Sequence, residues 1–337
     1  MTTANRPRVK AAVQSDDHAL PVYEMSVNVR ATWQAHSLSN AGSNGSIRLL
    51  ARRQLLADGT ETDACSGNIA KHHHAMLLAE YLESTGIPLC PACASRDGRR
   101  ASVLVGLPGY KSLSIERILT ECALCDAHGF LVTAKNASSD GSTERRQRIS
   151  KHSLIEFSFA LALPNRHAES MHLYTRSGNS KEDGQMWMKM PARSGEYALC
   201  IRYKSAGIGV DTDKWRVVVD DAGERARRHR AILSALCDQL LSPDGALTAA
   251  ALPHLTGLVG AIVVRSSVGR APVFSPLDAE FVARLTALSD KTCQVFPFET
   301  AEAFKILLNR LIETSTPCLP VIPLRKSVSP RDAKKKR

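Results

Sequence analysis

The chain has 337 residues, with 44 Lys or Arg against 33 Asp or Glu and a formal net charge of +11. A hydrophobic share of 44% excludes wholesale disorder, and the longest apolar runs fall far short of the roughly 20 residues that cross a bilayer. The start, with Arg6, Arg8 and Lys10, lacks the apolar stretch of a secretory leader, so the expectation is a cytosolic chain with enough positive charge to meet a polyanion.

In chain order, residues 1–20 are polar and expected to be mobile. From Tyr23 to Trp33, apolar residues alternate with polar ones, which predicts a half-buried strand carrying Asn28 and Arg30 on its polar face. A Ser, Gly and Asn-rich loop follows over 37–46. A helix is predicted from Ser66, its N-cap, to about Glu83, with Gly86 as its stop. Asn68, Lys71, His72 and Ala75 share one face of it, and Ile69, Met76 and Leu77 a neighbouring apolar one. Residues 86–150 are irregular, with paired cysteines and two basic clusters (Arg96, Arg99 and Arg100; Arg145, Arg146, Arg148 and Lys151), and read as an insertion without a large core of its own.

Strand character returns over 154–163. Residues 165–193 are polar and irregular around an apolar cluster of Met186, Trp187, Met188 and Met190, and a third strand spans 196–204. A helix follows over 222–241. Arg225, Arg227, Arg228 and Arg230 near its start oppose the macrodipole, which calls for an anion or acidic neighbour, a solvated face being the more ordinary reading. The apolar run 258–265 predicts a central strand, amphipathic helices fit 277–288 and 300–312, and the tail 325–337 is basic. The order strand, helix, strand, strand, helix, strand is that of an α+β ferredoxin-like or RRM-like domain with two insertions. Its sheet lacks the stacking aromatics of ordinary RRM recognition.

Cys90, Cys93, Cys122 and Cys125 form two CxxC knuckles able to place four thiolates on one tetrahedral ion, and structural zinc is the expected cofactor. Such a closed site has no open position for catalysis. His72, His73 and His74 point about 100° apart on a helix and cannot share an ion, while His128 is an alternative ligand ranked behind the thiolates. There is no nucleotide loop, zinc-protease motif or nucleophile elbow, and nothing in the spacing of Asp63, Asp126, Asp211 and Asp213 demands a catalytic role. The expectation is a protein that is not an enzyme.

The segment from Cys65 to His74 resembles the SGN-x-x-KH segment of the CRISPR-associated DevR autoregulator family, the repeated backbone subunit of type I Cascade complexes. The likeness continues through Leu89 to Cys93, Cys125 to Leu131, Gln185 with Met186, and Tyr197 to Leu199. It implies an RRM-like palm (21–85, 151–164 and 194–324), an inserted finger-like region (86–150) and a thumb hairpin (165–193). The implied partners are a guide crRNA, target DNA through that guide, other copies of the chain and other Cascade subunits, with no membrane. The family's palm grips the guide backbone at positions that map onto Ser66, Asn68, Lys71 and His72, with Asn28 and Arg30 as further candidates. Its thumb wedges between nucleotides, where Met186, Trp187 or Met188 would press on bases. Rival readings are a stand-alone zinc-containing RNA-binding or transcriptional regulator, and a nuclease subunit of the type III kind.

Overall fold

The computed structural model describes residues 19–39, 43–44, 47–48, 52–105, 107–110, 113–135, 146–176, 186–245 and 248–319. Most of the expected mobile start, the basic tail and Arg145 lie outside the described residues.

The elements that position the site run in this order: β1 (Glu24–His36), β2 (Arg52–Leu55), β3 (Glu61–Cys65), α1 (Gly67–Ser84), α2 (Pro91–Ala94), α3 (Ile115–Glu121), α4 (Ala123–His128), β4 (Phe130–Lys135) and β5 (Arg146–Lys151). There follow β6 (Ile155–Phe157), β7 (Ala160–Arg176), β8 (Met186–Tyr203), α5 (Ala222–Leu241), β9 (His254–Arg265), α6 (Phe281–Thr286), β10 (Cys293–Phe298) and α7 (Ala301–Thr314). The main sheet has the spatial order β10-β9-β1-β8-β7-β3-β2, with β6 also paired to β8. Every neighbouring pair on that path is antiparallel, and Val29 of β1 stands opposite Leu199 of β8 and Gly260 of β9.

The alternation in β1 sends Met25, Val27, Val29, Ala31 and Trp33 to the inner face, where they are buried with Tyr197 and Ile201 of β8. Helices α1, α5 and α7 close that face with Leu78, Leu82, Leu233, Leu236, Phe304 and Leu308. Each such side chain removed from water stabilises the fold by roughly 1.5–3 kcal/mol before entropy is counted. The expected helices over 222–241 and 300–312 form as α5 and α7, the latter capped by Thr300, whose hydroxyl accepts from the Ala303 N–H.

The polar face of β1 is covered. Ser26 donates to the Pro272 carbonyl at 2.6 Å, Asn28 accepts from the Phe274 N–H at 3.2 Å, and Arg30 donates to the Pro276 carbonyl at 2.5 Å. These bonds hold the 270–278 segment against the sheet, and Phe281 and Leu285 of α6 seal it over Ala261 and Val263. Only Phe281–Thr286 of the helix expected over 277–288 forms, because the backbone carbonyls of Pro276, Leu277 and Asp278 bond Arg30 instead.

The insertion has no core apart from the main one, since Cys90, Cys93, Leu104, Ile118, Leu119, Cys122 and Cys125 join the same buried cluster as Val27 and Leu78. Its helices are too short to show a period in sequence. One further expectation is corrected. Residues 165–176 and 186–193 are regular: they are the outer arms of the β7–β8 hairpin, paired from His167 with Gly195 to Arg176 with Met186. A register shift between Ala162 and His167, with Asn165 at φ +59°, interrupts the pairing at the root of these arms, and beyond it apolar and polar residues fall on both faces, so the alternation that marks a strand is lost.

The arginines at the start of α5 find acidic neighbours. Arg228 is buried and donates to Asp126 at 3.0 Å and to Glu224 at 2.9 Å, and Arg225 is buried against the Ile208 carbonyl. Arg227 pairs with Glu224 but remains half exposed, so only part of the group is a solvated face.

Candidate nucleic-acid interface and metal centre

β3 ends at Cys65, and α1 starts at once because the Ser66 hydroxyl accepts from the Asn68 N–H at 3.3 Å. Gly67 is required there: a Cβ would lie 2.4 Å from the Phe157 carbonyl oxygen. Asn68 and His72 are exposed and Lys71 is half-buried, and these three share one side of the first two turns, whereas Ser66 is buried with its hydroxyl taken up by the cap. Among the described residues no carboxylate lies within ion-pair range of Lys71. Its pKa is lowered by burial first and by the nearby Arg100 second, with Glu156 opposing.

The three histidines diverge as the helical geometry requires. His72 faces solvent, His73 lies 3.9 Å from Asp244, and His74 is fully buried. His74 Nε2 meets the Ile232 carbonyl at 3.1 Å and its Nδ1 meets His128 Nε2 at 2.9 Å. The carbonyl demands a donor, so Nε2 of His74 carries the proton, its Nδ1 accepts from His128, and Nδ1 of His128 keeps a lone pair without a partner. Burial holds His74 near a pKa of about 4 and His128 well below 6.5.

Asn28 and Arg30 stand apart from this group. The side-chain amide of Asn28 is engaged at both ends inside the fold, its NH2 donating to Ser26 and its carbonyl oxygen accepting from the Phe274 N–H, and Arg30 is bound to the 276–278 carbonyls with its guanidinium 5.6 Å from the Phe281 ring. The thumb candidates divide by strand parity. Trp187, opposite Thr175, is 51% exposed beside Leu173 at 63% on one face, whereas Met188, opposite Tyr174, is half-buried on the other. Met186 pairs with Arg176 on the Met188 face, and its side chain lies outside the described residues.

Cys90, Cys93, Cys122 and Cys125 converge, with all four sulfurs within 4.8 Å of one another and every residue at most 2% exposed. Cys93 lies 3.6 Å and Cys90 4.0 Å from Cys125, close to the roughly 3.8 Å edge of a tetrahedron with metal–sulfur bonds of about 2.3 Å. Cys90 caps α2 and Cys122 caps α4, so each knuckle places a sulfur at a helix start, where free N–H groups favour a thiolate. Hydrogen bonds from their neighbours push the Cys90 thiol down and, against burial, the Cys122 thiol down as well, while the same crowding pushes Cys93 and Cys125 up. Without a cation the cluster therefore resists holding four thiolates, and a divalent ion at its centre would remove that opposition. His128 is turned to His74 and is not one of the four.

Sequence reasoning missed the groups that fasten this centre to the palm. Asp126, on the same short helix as Cys125, is buried between Lys151 and Arg228 and also accepts from the Gly209 N–H at 2.8 Å. Gly129 ends that helix at φ +72°, where a Cβ would strike the Lys151 carbonyl. A second buried knot joins Asp63 to Arg193 at 2.9 Å and to Tyr197 at 2.8 Å beneath the root of the hairpin. The sequence called for an acidic neighbour near the arginines of α5, but no spacing pairs Arg228 with Asp126 or Asp63 with Arg193.

In solved structures, the chain is similar to a subunit described as "CRISPR RNA-guided surveillance complex, pre-nicking", at 11% identity over 85% of this chain and 99% of that one, TM-score 0.44. It is similar also to one described as "CRISPR RNA-guided surveillance complex", at 12% identity over 85% of this chain and 98% of that one, TM-score 0.44. No curated protein matches it in sequence. The family model of the CRISPR-associated negative auto-regulator DevR/Csa2 matches residues 27–284, a span that holds the start of α1, the four cysteines and the hairpin, and the chain belongs to that family.

Proposed function

We propose that the chain is the backbone subunit of a type I CRISPR effector complex, polymerising along a guide RNA and presenting it for pairing with target DNA. The observation that carries this reading is the start of α1, where exposed Asn68 and His72 flank Lys71, a half-buried cation with no carboxylate partner among the described residues. An exposed amide and a cation bind phosphate and sugar without reading sequence, as a subunit repeated along any guide must. The sheet order β9-β1-β8-β7 supports a ferredoxin-like palm, being the fourth, first, third and second strands of the predicted pattern. The β7–β8 hairpin serves as its thumb, with Trp187 and Leu173 on the face offered to bases, and the cysteine-bearing insertion is the finger-like region.

The four-cysteine centre holds structural zinc, which supplies folding free energy to the insertion while the palm's own residues bind RNA. The subunit binds and does not cut: Asp63 and Asp126 are sealed in ion pairs and Asp211 is buried, bonded to the Asp213 and Lys214 amides. No described helix is long and apolar enough to cross a membrane, and the site of action is the prokaryotic cytoplasm. The family description as a negative auto-regulator favours a second reading, a stand-alone nucleic-acid-binding regulator.

Co-expression with a CRISPR guide and neighbouring subunits, followed by native mass spectrometry, tests the proposal. Many copies on one intact guide are expected. One or two copies, or no retained RNA, overturns it in favour of the regulator, and a shortened guide overturns it in favour of a nuclease.

A further inference from the structure

The insertion reaches the RNA-binding helix through one chain of contacts. His74 lies one turn beyond Lys71 on α1, and its Nδ1 meets His128 at 2.9 Å. Gly129 follows His128, and its carbonyl accepts from the Arg100 guanidinium at 3.4 Å. Arg100 opens a short 3-10 helix that follows the Cys90–Cys93 knuckle, with backbone φ at +53°, a conformation a long side chain seldom adopts. Its neighbours on that turn are engaged, Arg96 with Glu83 and Arg99 with Asp97. Arg100 is half-buried, and among the described residues it has no carboxylate partner. Lys71, one turn from His74, and Arg100, bonded next to His128, both adjoin the His74–His128 pair, near enough that Arg100 lowers Lys71, and Glu156, which acts on Lys71, is already bonded to Arg202. Holding two like charges together without an anion is unfavourable, and a phosphate between them removes the repulsion.

We propose that Arg100 is a further RNA-phosphate ligand, presented beside Lys71 by the four-cysteine insertion, so that occupancy of the metal centre sets the affinity for single-stranded RNA. This rests on the reading of α1 as the RNA-binding element. The knuckle fixes the turn that ends at Arg100, and the Cys122–Cys125 knuckle fixes the helix that ends at His128 and Gly129, to whose carbonyl Arg100 is bonded. Both walls of the phosphate site therefore rest on the same ion.

The test uses the full-length chain, a fluorescently labelled single-stranded RNA and equilibrium anisotropy over a salt series. Metal content is measured in parallel by elemental mass spectrometry. Arg100→Ala is expected to weaken RNA binding by about tenfold or more, to make the salt dependence shallower by about one phosphate contact, and to leave metal content unchanged. Arg100→Lys should recover part of the affinity. Combining Arg100→Ala with Lys71→Ala should cost less than the two separate losses multiplied, because both act on one phosphate. Cys90→Ser with Cys93→Ser should release the metal and weaken RNA binding, and should weaken it little further in the Arg100→Ala background.

Unchanged affinity and salt slope in Arg100→Ala, with Lys71→Ala weakened, overturns the role of Arg100 and leaves the palm reading standing. If Lys71→Ala is unchanged as well, the palm reading falls with it. A metal-free double-cysteine variant that binds RNA like the wild type overturns the link to the metal. Should that variant fail to fold, Arg100→Ala and Arg100→Lys decide alone.

Discussion

The two sides of α1 are held by different physics. Toward the sheet, Ala75, Leu78, Ala79 and Leu82 pack against an apolar core built by alternation in β1 and β8. Toward the insertion, His74 meets His128, and behind that pair lie Asp126 with Lys151 and Arg228 and the four sulfurs. The first side is non-directional and tolerates change in proportion to area lost. The second is directional and charged, so removing one member leaves others buried without a partner. The sheet side of α1 is thus robust where it is apolar, and the insertion side depends on buried charge, protonation and single side chains.

The largest expected break is at the metal. Cys90→Ser with Cys93→Ser, or a strong chelator, should release about one zinc per chain and unfold the insertion locally, since structural zinc contributes on the order of 10 kcal/mol in small metal-held units. Hydrogen exchange should rise across residues 86–135 while β1 and α5 stay protected. Metal content unaffected by the double substitution would remove the site altogether.

Next in size is the ion cluster. Asp126→Ala leaves Lys151 and Arg228 buried and short of their counter-charge, which costs about 3–5 kcal/mol. Leu78→Ala on the sheet side of α1 costs about 2–5 kcal/mol as cavity and lost transfer energy. The distinction is in recovery. Replacing Asp126, Lys151 and Arg228 together with apolar residues of similar volume should restore most of the stability, whereas nothing done on the insertion side repairs Leu78→Ala. If Asp126→Ala costs under about 1 kcal/mol in urea unfolding, the seam is not held as described.

How far the sequence revealed each side follows from the same contrast. β1, α1, α5 and α7 were legible because an apolar residue recurs every two or every three to four positions, and β9 because its apolar run is continuous and of strand length. Ser66 was legible as a cap because the residue type and the helix pattern meet there. The four cysteines were legible by spacing, although not that their helices join the main core. Hidden from the pattern were Arg193 with Asp63, Arg228 with Asp126, and His74 with His128, each joined over more than 25 residues by a fold that no periodicity records. Asn28 and Arg30 had the right parity for an open face, but parity does not say that residues 270–278 cover it.

Acid should weaken both sides of α1 through buried imidazoles. Burial lowers His74 to about 4 and His128 well below 6.5, so the unfolded chain takes up protons near pH 6.5 that the folded chain refuses. Stability from these imidazoles is complete above pH 6.5 and is lost as pH falls from there toward 4, by about 1.4 kcal/mol per pH unit for each proton. His36 and His229, both lowered to about 3, add the same slope elsewhere. His74→Gln should therefore flatten the decline in urea midpoint between pH 6.5 and 5 by up to one proton's worth. An unchanged slope would mean that His74 titrates alike in both states.

The smallest effect on stability, and the sharpest separation of binding from folding, belongs to the hairpin. Trp187 and Leu173 are exposed on one face, so alanine at either should change stability by no more than about 0.5 kcal/mol. Met190, 9% exposed on the opposite face, should cost about 1–2 kcal/mol when truncated. RNA binding should show the reverse order. Stacking on an aromatic surface contributes about 1–3 kcal/mol per base, so Trp187→Ala should weaken guide RNA about tenfold without changing the salt slope, because no charge is removed. Met190→Ala should leave RNA affinity alone once folding is corrected for. If Trp187→Ala changes copy number on the guide but not affinity for a short RNA, the exposed face contacts a neighbouring subunit instead of a base.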